Sequence, residues 1–232
     1  MLNNQKPTKT IFVPNGSLSV HSVFLTIQGE GPYSGRRAVF IRLEGCNLQC
    51  PQCDTDYTSN KISLSPSLIF SAIHAKLPAR AKNLVVITGG EPFRQNLLPL
   101  IRTLLGQGYL VQVETNGTLY QELPYSDPRL TIVCSPKTGT INQFLLPHIK
   151  ALKYVLSAND IMEDGLPSKA LGHLAKPFLA RPPKNFRGTI YIQPADEKDM
   201  FKNADNIEAA VKSTLEFGYT LCLQTHKIIG VE

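Results

Sequence analysis

Three closely spaced cysteines are the residues in this sequence most able to do chemistry. Cys46, Cys50 and Cys53 are separated by three and then two residues. A cubane [4Fe–4S] cluster has four irons, and clusters that only carry electrons are usually held by four cysteine thiolates. Three thiolates would leave one iron open to a substrate or cofactor. Structural zinc also needs four ligands, and no fourth Cys or His lies at the usual spacing. The spacing predicts an open cluster, with a partial zinc site or a redox thiol loop as alternatives.

A predicted strand leads directly into this cysteine loop. Apolar and other side chains alternate through residues 38–43, and Gly45 ends the run. This two-residue period is typical of a short strand. The cysteines would then lie in a loop at the carboxyl end of a strand, where α/β barrels build their active sites.

Strand-like and helical patterns alternate along the rest of the sequence. Predicted strands cover 38–43, 84–88, 109–114, 130–134, 152–156, 189–193 and 219–223. Predicted helices cover 66–77 and 206–217, the second capped by Asp205. This alternation indicates parallel strands joined by crossover helices. Six or seven mainly parallel strands are too few to close a barrel, so the predicted α/β fold is an incomplete, open β/α barrel.

The domain organisation is expected to be simple. Residues 1–20 are expected to form a variable, poorly ordered N-terminal extension, and residues 21–232 a single domain. The segment 157–188 contains Gly, Pro and Lys without clear periodicity and is predicted to be loop with one short helix.

Composition limits the classes of function. The 232 residues are 42% hydrophobic, which suits a compact enzyme domain. No apolar run approaches ~20 residues, so a membrane-spanning segment is not expected. The polar N-terminus lacks the apolar core of a signal peptide, so a cytoplasmic location is expected. Cys134 and Cys222 lie in apolar runs and are expected to be buried. The net charge of +6 comes from scattered Lys and Arg, which disfavours nucleic-acid binding and suits an anionic small substrate.

Several polar motifs follow other predicted strands. They are Gly89-Gly90-Glu91-Pro92, Glu114-Thr115-Asn116-Gly117-Thr118, Ser135-Pro136-Lys137 and Gln193-Pro194. Glycines allow backbone to approach a ligand closely, and a carboxylate can accept hydrogen bonds from an ammonium group. Each motif alone is also an ordinary turn sequence. They meet in one site only if the strands form the predicted barrel.

The cysteine spacing and the Gly-Gly-Glu-Pro motif resemble the radical S-adenosylmethionine (SAM) superfamily, in which SAM binds the open iron. Further motifs at 24–31, 40–43, 53–55, 133–137, 193–194 and 223–227 resemble the 7-carboxy-7-deazaguanine synthase family. This resemblance implies a lyase that converts 6-carboxy-5,6,7,8-tetrahydropterin to 7-carboxy-7-deazaguanine by radical ring contraction with loss of ammonia. The product enters queuosine and other 7-deazapurine biosynthesis. One departure is Gln52, where many members have an aromatic residue.

The resemblance also implies roles for individual residues. Cluster ligands would be Cys46, Cys50 and Cys53, and Thr55 would bind Mg²⁺. SAM would be bound by Gly89, Gly90, Glu91, Glu114, Ser135, Lys137 and Gln193. The pterin would be bound by Ile27, Gln28, Gly29, Glu30, Arg42, Thr88 and His226. An electron donor such as flavodoxin or ferredoxin and a homodimeric assembly are implied as well.

Two other classes of function remain open from the sequence. A glycyl-radical activating enzyme shares the short cysteine spacing, but it would leave the motifs at 28–31 and 224–227 unexplained. A zinc- or cluster-binding interaction module without catalysis would use the cysteines alone. Iron reconstitution separates this module from both enzymes, and product analysis separates the two enzymes.

Overall fold

The computed structural model describes residues 3–77, 84–173 and 175–231. The strands are β1 (Leu18–Ile27), β2 (Arg37–Leu43), β3 (Ile62–Leu64), β4 (Leu84–Gly89), β5 (Leu110–Thr115), β6 (Leu130–Cys134), β7 (Ile149–Leu156), β8 (Thr189–Pro194) and β9 (Thr220–Leu221). The α-helices are α1 (Pro66–Lys76), α2 (Leu98–Gly106), α3 (Met200–Phe217) and α4 (Thr225–Ile228). Three short 3-10 helices cover Gly31–Tyr33, Pro92–Arg94 and Leu146–His148.

All described strands belong to one sheet with the order β3-β1-β2-β4-β5-β6-β7-β8-β9. Each neighbouring pair from β2 and β4 through to β9 is parallel, whereas β1 is antiparallel to both β2 and β3. The first and last strands of this order do not pair with each other. The predicted open, mainly parallel α/β architecture is therefore confirmed.

The sequence did not reveal the antiparallel edge. In β1 the pairing with β2 shifts register between Val20 and Ser22, so the apolar alternation expected of a strand is interrupted there. The β3 strand has only three residues, Ile62–Leu64. The pattern of β1 is too irregular, and that of β3 too short, to be recognised as a strand from the sequence. The expected boundary at residue 20 therefore falls inside β1.

The helix predictions were right in position and partly wrong in their ends. Helix α1 begins at Pro66, where Ser65 accepts a hydrogen bond from the Leu68 N–H, and ends one residue before the predicted 77. Helix α3 begins at Met200 rather than at 206, because Asp199, not Asp205, caps it. Asp199 accepts from the N–H groups of Phe201 and Lys202. Helix α2 was not predicted.

Two loop predictions also change. The described residues of 157–188 contain turns and an isolated bridge between Ala170 and His173, but no helix. Residues 3–13 are not a loose extension, because their backbone bonds to the cysteine loop and to Arg94.

Cys134 and Cys222 are buried, as predicted. Within the described residues, no helix has both the length and the apolar character needed to span a bilayer.

The sheet has one face in the core and another that faces a cavity. On β2, Val39, Ile41 and Leu43 are fully buried in the hydrophobic core. The side chains of Phe40 and Arg42 alternate with them and line the cavity. The strand pattern therefore fixes which residues can reach a ligand.

Candidate active site

A cavity of about 330 Å³ lies where the parallel strands end. It is bounded by residues 27–30, at and just after the end of β1, and by Gln224, His226 and Lys227. Most of the predicted site residues line it: Ile27, Gln28, Gly29, Glu30, Arg42, Cys53, Thr55, Thr88, Gly89, Gly90, Glu114, Ser135, Lys137, Gln193 and His226. Cys46, Cys50 and Glu91 are not among the lining residues, and all three are buried.

The cysteine loop is packed directly against the end of β4. A Cβ atom on Gly90 would lie only 2.7 Å from the Cβ of Cys46 and 2.2 Å from the carbonyl oxygen of Gly45. Only glycine allows this approach. The Glu91 N–H also donates to the Gly45 carbonyl at 3.0 Å. The Gly-Gly motif therefore supports the loop as well as forming part of the cavity wall.

A second set of hydrogen bonds ties the loop to the end of β5. The Asn116 side-chain amide donates to Asn47 Oδ1 at 2.9 Å. Asn47 Nδ2 in turn donates to Thr118 Oγ1 at 2.8 Å. The motif at residues 114–118 thus fixes the position of the cysteine loop through hydrogen bonds to Asn47. Sequence reasoning noticed the motif but not its partner, Asn47.

Burial raises the pKa of all three thiols of the cysteine loop. Burial raises the pKa of Cys46 to about 12 and that of Cys50 to about 11, while the charge of Lys137 acts in the opposite direction on Cys50. Metal ligation requires thiolates, so a bound metal centre must supply the compensating positive charge.

The three thiols belong to one loop beside the cavity. In the described part of the chain, no group of three or more His, Cys, Asp or Glu side chains is arranged around a single point. In a [4Fe–4S] cluster each thiolate binds a different iron, so the ligands need not converge on a point. One loop carries all three thiols, and Cys53 lines the cavity. The residues present therefore fit the cluster.

Glu91, to which the resemblance gives a role in SAM binding, bonds to donors of the protein itself. It is fully buried, and its Oε1 accepts from the Phe93 N–H at 2.9 Å and from Thr115 Oγ1 at 2.8 Å. Its Oε2 accepts from the Asn116 N–H at 2.7 Å. Burial raises the pKa of Glu91 to about 7 against these three donors. Its carboxylate connects the ends of β4 and β5 in the interior and does not line the cavity.

Lys153 is a cavity residue that sequence reasoning missed. Its Nζ donates to Glu30 Oε2 and lies 3.3 Å from Glu114 Oε2. Gln224 also donates to Glu30, at 2.8 Å. Burial raises the pKa of Glu30, but Lys153 and Gln224 lower it to about 2. The pKa of Glu114 is raised by its burial and by the neighbouring Glu30 carboxylate. One lysine thus holds two carboxylates, those of Glu30 and Glu114.

The Arg42 side chain lines the cavity, and its Nε is an unsatisfied donor among the described residues. Its guanidinium lies 5.3 Å from the ring centroid of Phe24, which stacks on Phe40. Among the described residues, the buried Arg42 Nε has no hydrogen-bond partner. A buried, unpaired guanidinium nitrogen costs free energy unless a ligand accepts from it. This makes Arg42 a suitable group for binding a carboxylate.

His226 reaches the cavity because glycine occupies position 29. A Cβ on Gly29 would lie 2.0 Å from His226 Nδ1. The backbone N–H of Thr225 donates to the Gly29 carbonyl at 3.2 Å, and the Gly31 N–H donates to Cys222 Sγ at 3.2 Å. Burial lowers the pKa of His226, which favours its neutral form. These contacts bring together the loop after β1 and the segment after β9.

Charged side chains surround Thr55 at the cavity edge. Thr55 Oγ1 lies 3.3 Å from Asp54 Oδ1. Lys227 Nζ donates to Asp54 Oδ2 at 3.1 Å and to Asp196 Oδ2 at 2.8 Å. All four residues line the cavity, but only Thr55 was predicted to do so. Asp54 adjoins the cysteine motif, whereas nothing local in the sequence distinguishes Asp196.

The chain is similar to a known protein family and to several curated proteins. Residues 27–166 match the family described as a 4Fe-4S single cluster domain. The 7-carboxy-7-deazaguanine synthase of Rhodospirillum rubrum is 44% identical over 222 residues, which cover 93% of each chain. That of Rickettsia prowazekii is 40% identical and covers 97% of this chain and 94% of its own.

A solved structure supports the fold independently. The crystal structure of QueE from Escherichia coli superposes with a TM-score of 0.67 and 23% sequence identity, covering 89% of this chain and 93% of that one. At this identity the similarity concerns the fold alone. The family is established by the curated relatives, which match at high identity over nearly the whole chain. This chain belongs to the 7-carboxy-7-deazaguanine synthase family.

Proposed function

We propose that this chain is the radical SAM lyase that forms 7-carboxy-7-deazaguanine from 6-carboxy-5,6,7,8-tetrahydropterin. The observation that carries the proposal is one cavity that combines Cys53 of the cysteine loop, the unpaired Arg42 and the ionised Glu30. A cluster-binding module without catalysis would need neither Arg42 nor Glu30 in such a cavity. A glycyl-radical activating enzyme acts on a protein backbone and has no need of a small cavity for a bicyclic anion.

The cofactor half of the cavity is assigned to the cysteine loop and the neighbouring strand ends. Cys46, Cys50 and Cys53 would hold the cluster. SAM would lie against Gly89, Gly90, Glu114, Ser135, Lys137 and Gln193, which line the cavity. Glu91, which does not line the cavity, would act by fixing the turn after β4. When bound, the cluster and SAM supply the one-electron chemistry that starts the ring contraction.

The substrate half is assigned to residues 27–30, Arg42, Thr88 and His226. The two N–H donors of a guanidinium match a carboxylate, so Arg42 would bind the 6-carboxylate of the pterin. The ionised Glu30 can accept from the aminopyrimidine N–H edge, and Gln28 and Ile27 flank it. Phe24 and Phe40 provide apolar wall beside them. These residues orient the substrate and exclude water from it.

Magnesium, the reductant and the oligomer are further parts of the proposal. Thr55 would bind Mg²⁺ through its hydroxyl, with water and the substrate carboxylate as other oxygen ligands. The electron donor would be a small redox protein such as flavodoxin or ferredoxin. The family resemblance supports a homodimer.

The function is tested by product analysis under anaerobic conditions. Protein reconstituted with iron and sulfide is mixed with the carboxytetrahydropterin, SAM, Mg²⁺ and a chemical reductant. Chromatography and mass measurement should find 7-carboxy-7-deazaguanine and ammonia in equal amounts, with omission of SAM as the control. SAM cleavage without deazapurine would contradict the proposal and favour an activating enzyme.

Thr55→Ala should weaken Mg²⁺ binding while leaving the cluster's absorption spectrum unchanged. Removal of one oxygen ligand from a Mg²⁺ site is expected to raise the Mg²⁺ concentration needed for half-maximal rate by at least about 10-fold. Thr55→Ser keeps the hydroxyl and should stay close to the wild type. Equal Mg²⁺ dependence in all three proteins would remove Thr55 from the metal site.

A further inference from the structure

The segment 3–9, named the strap here, lies along the three-cysteine loop and bonds to its backbone. The Thr8 N–H and Oγ1 both donate to the Cys46 carbonyl, at 2.7 and 3.1 Å. Asn3 Nδ2 donates to the Cys50 carbonyl at 3.0 Å, and its backbone N–H to the Pro51 carbonyl at 2.8 Å. The carbonyls of two predicted cluster ligands are thus held by residues far outside the motif.

Gln5 holds the exit of the same loop. Its Nε2 donates to the Thr55 carbonyl at 2.9 Å. Its Oε1 accepts from the Tyr57 N–H at 2.8 Å and from Thr58 Oγ1 at 3.0 Å. Tyr57 is only 1% exposed. One glutamine side chain therefore fixes both sides of the turn that follows Cys53.

A buried arginine fastens the strap to the sheet. Arg94 is 1% exposed, and all of its donor bonds go to backbone carbonyls. Nε donates to Thr8 at 3.0 Å, Nη2 to Lys9 at 2.7 Å and Nη1 to Glu44 at 3.0 Å. Arg94 follows the Gly-Gly-Glu-Pro motif, so it joins the strap, the start of the cysteine loop and the cofactor turn.

We propose that the strap pre-positions the cysteine loop for the cluster and slows cluster loss, with Asn3, Gln5 and Thr8 as positioning residues. This inference rests on the proposed function, since it assumes that the loop binds the cluster. The physical reason is preorganisation: a loop already ordered by hydrogen bonds loses less conformational freedom when the metal centre binds. Loosening the strap should therefore expose the loop in the apo-protein and speed iron loss from the loaded protein.

The test compares two double variants of the full chain. Asn3→Ala/Gln5→Ala removes the side-chain bonds to Cys50, Thr55 and Tyr57. The matched control, Asn4→Ala/Lys6→Ala, changes two exposed neighbours. Each net hydrogen bond is worth a factor of about 5. Hydrogen exchange of apo-protein peptides covering residues 44–56 should rise on the order of 10- to 100-fold in the first variant only.

The second measurement is iron release from the reconstituted protein to a chelator. It should be faster by about the same factor in Asn3→Ala/Gln5→Ala than in the control Asn4→Ala/Lys6→Ala. Thr8→Val, which removes only the Oγ1 bond to Cys46, should show a smaller change in the same direction. If exchange and iron release match the control, the strap has no positioning role. If the wild type takes up no iron, the proposed function fails, while apo-protein exchange still decides whether the strap orders the loop.

Discussion

A Cys50→Ala variant should retain no stable [4Fe–4S] cluster and should form no detectable 7-carboxy-7-deazaguanine. Cys50 is 8% exposed and lies at the centre of the three-cysteine loop, where the Asn3 side chain holds its carbonyl. Removal of its thiolate leaves two ligands for a centre that already has one open iron. Loss of a metal ligand is among the few single changes with very large effects. Iron content, the visible absorption spectrum and product yield all measure the result.

The control for this experiment is Cys134→Ala. Cys134 is fully buried in β6 and belongs to the hydrophobic core, so its replacement costs packing and no cluster ligand. Its iron content should equal that of the wild type. Cys222 is a poorer control because its sulfur accepts the Gly31 N–H beside Glu30. A Cys50→Ala protein with full iron content and normal turnover would refute the cluster assignment.

An Arg42→Lys variant should bind the carboxypterin far more weakly and SAM almost normally. A planar guanidinium gives a carboxylate two parallel hydrogen bonds, which an ammonium group cannot reproduce. Loss of a charge-assisted bond in a buried site costs ~2–5 kcal/mol, which is roughly 30- to several-thousand-fold in affinity. Separate titrations of substrate and SAM against the reconstituted protein measure the two affinities.

Arg36→Lys provides the matched control. Arg36 also lies over an aromatic ring, 5.4 Å from the centroid of Tyr33, but it is exposed and does not line the cavity. Its replacement should change neither titration. If Arg42→Lys weakens SAM binding and leaves the pterin affinity intact, Arg42 belongs to the cofactor half of the cavity and the proposed substrate orientation is wrong.

Strand β6 and residues 84–87 of β4 were predictable because they are buried on both faces. Leu84, Val85, Val86 and Ile87 are each at most 1% exposed, and such strands are continuous apolar runs in the sequence. Strand β1 was not predictable in this way, since the register shift near Val20 breaks its alternation. The cysteine loop was found because its spacing is local and its chemistry is specific.

The parts of the site that were missed depend on distant partners. Lys153 pairs with Glu30 across 123 positions of sequence, and only the folded sheet brings them together. The available sign of this pair in the sequence was Lys153 itself, a charged residue among the apolar residues of β7. The strap was missed for another reason: its side chains bond mainly to backbone groups, which carry no sequence information. Glu91 was found as a motif residue, but its inward orientation depends on the Asn116 and Phe93 N–H groups.

The two halves of the cavity differ in how far apart in the sequence their contacting residues lie. Thr225 bonds to Gly29 across 196 positions, whereas Thr8 bonds to Cys46 across only 38. Ribosomal synthesis delivers the N-terminal residues first, and non-local pairings form late because loop closure must precede them. The strap and the cysteine loop leave the ribosome long before residues 222–227. A nascent chain therefore has its cluster ligands before it has an enclosed pterin pocket.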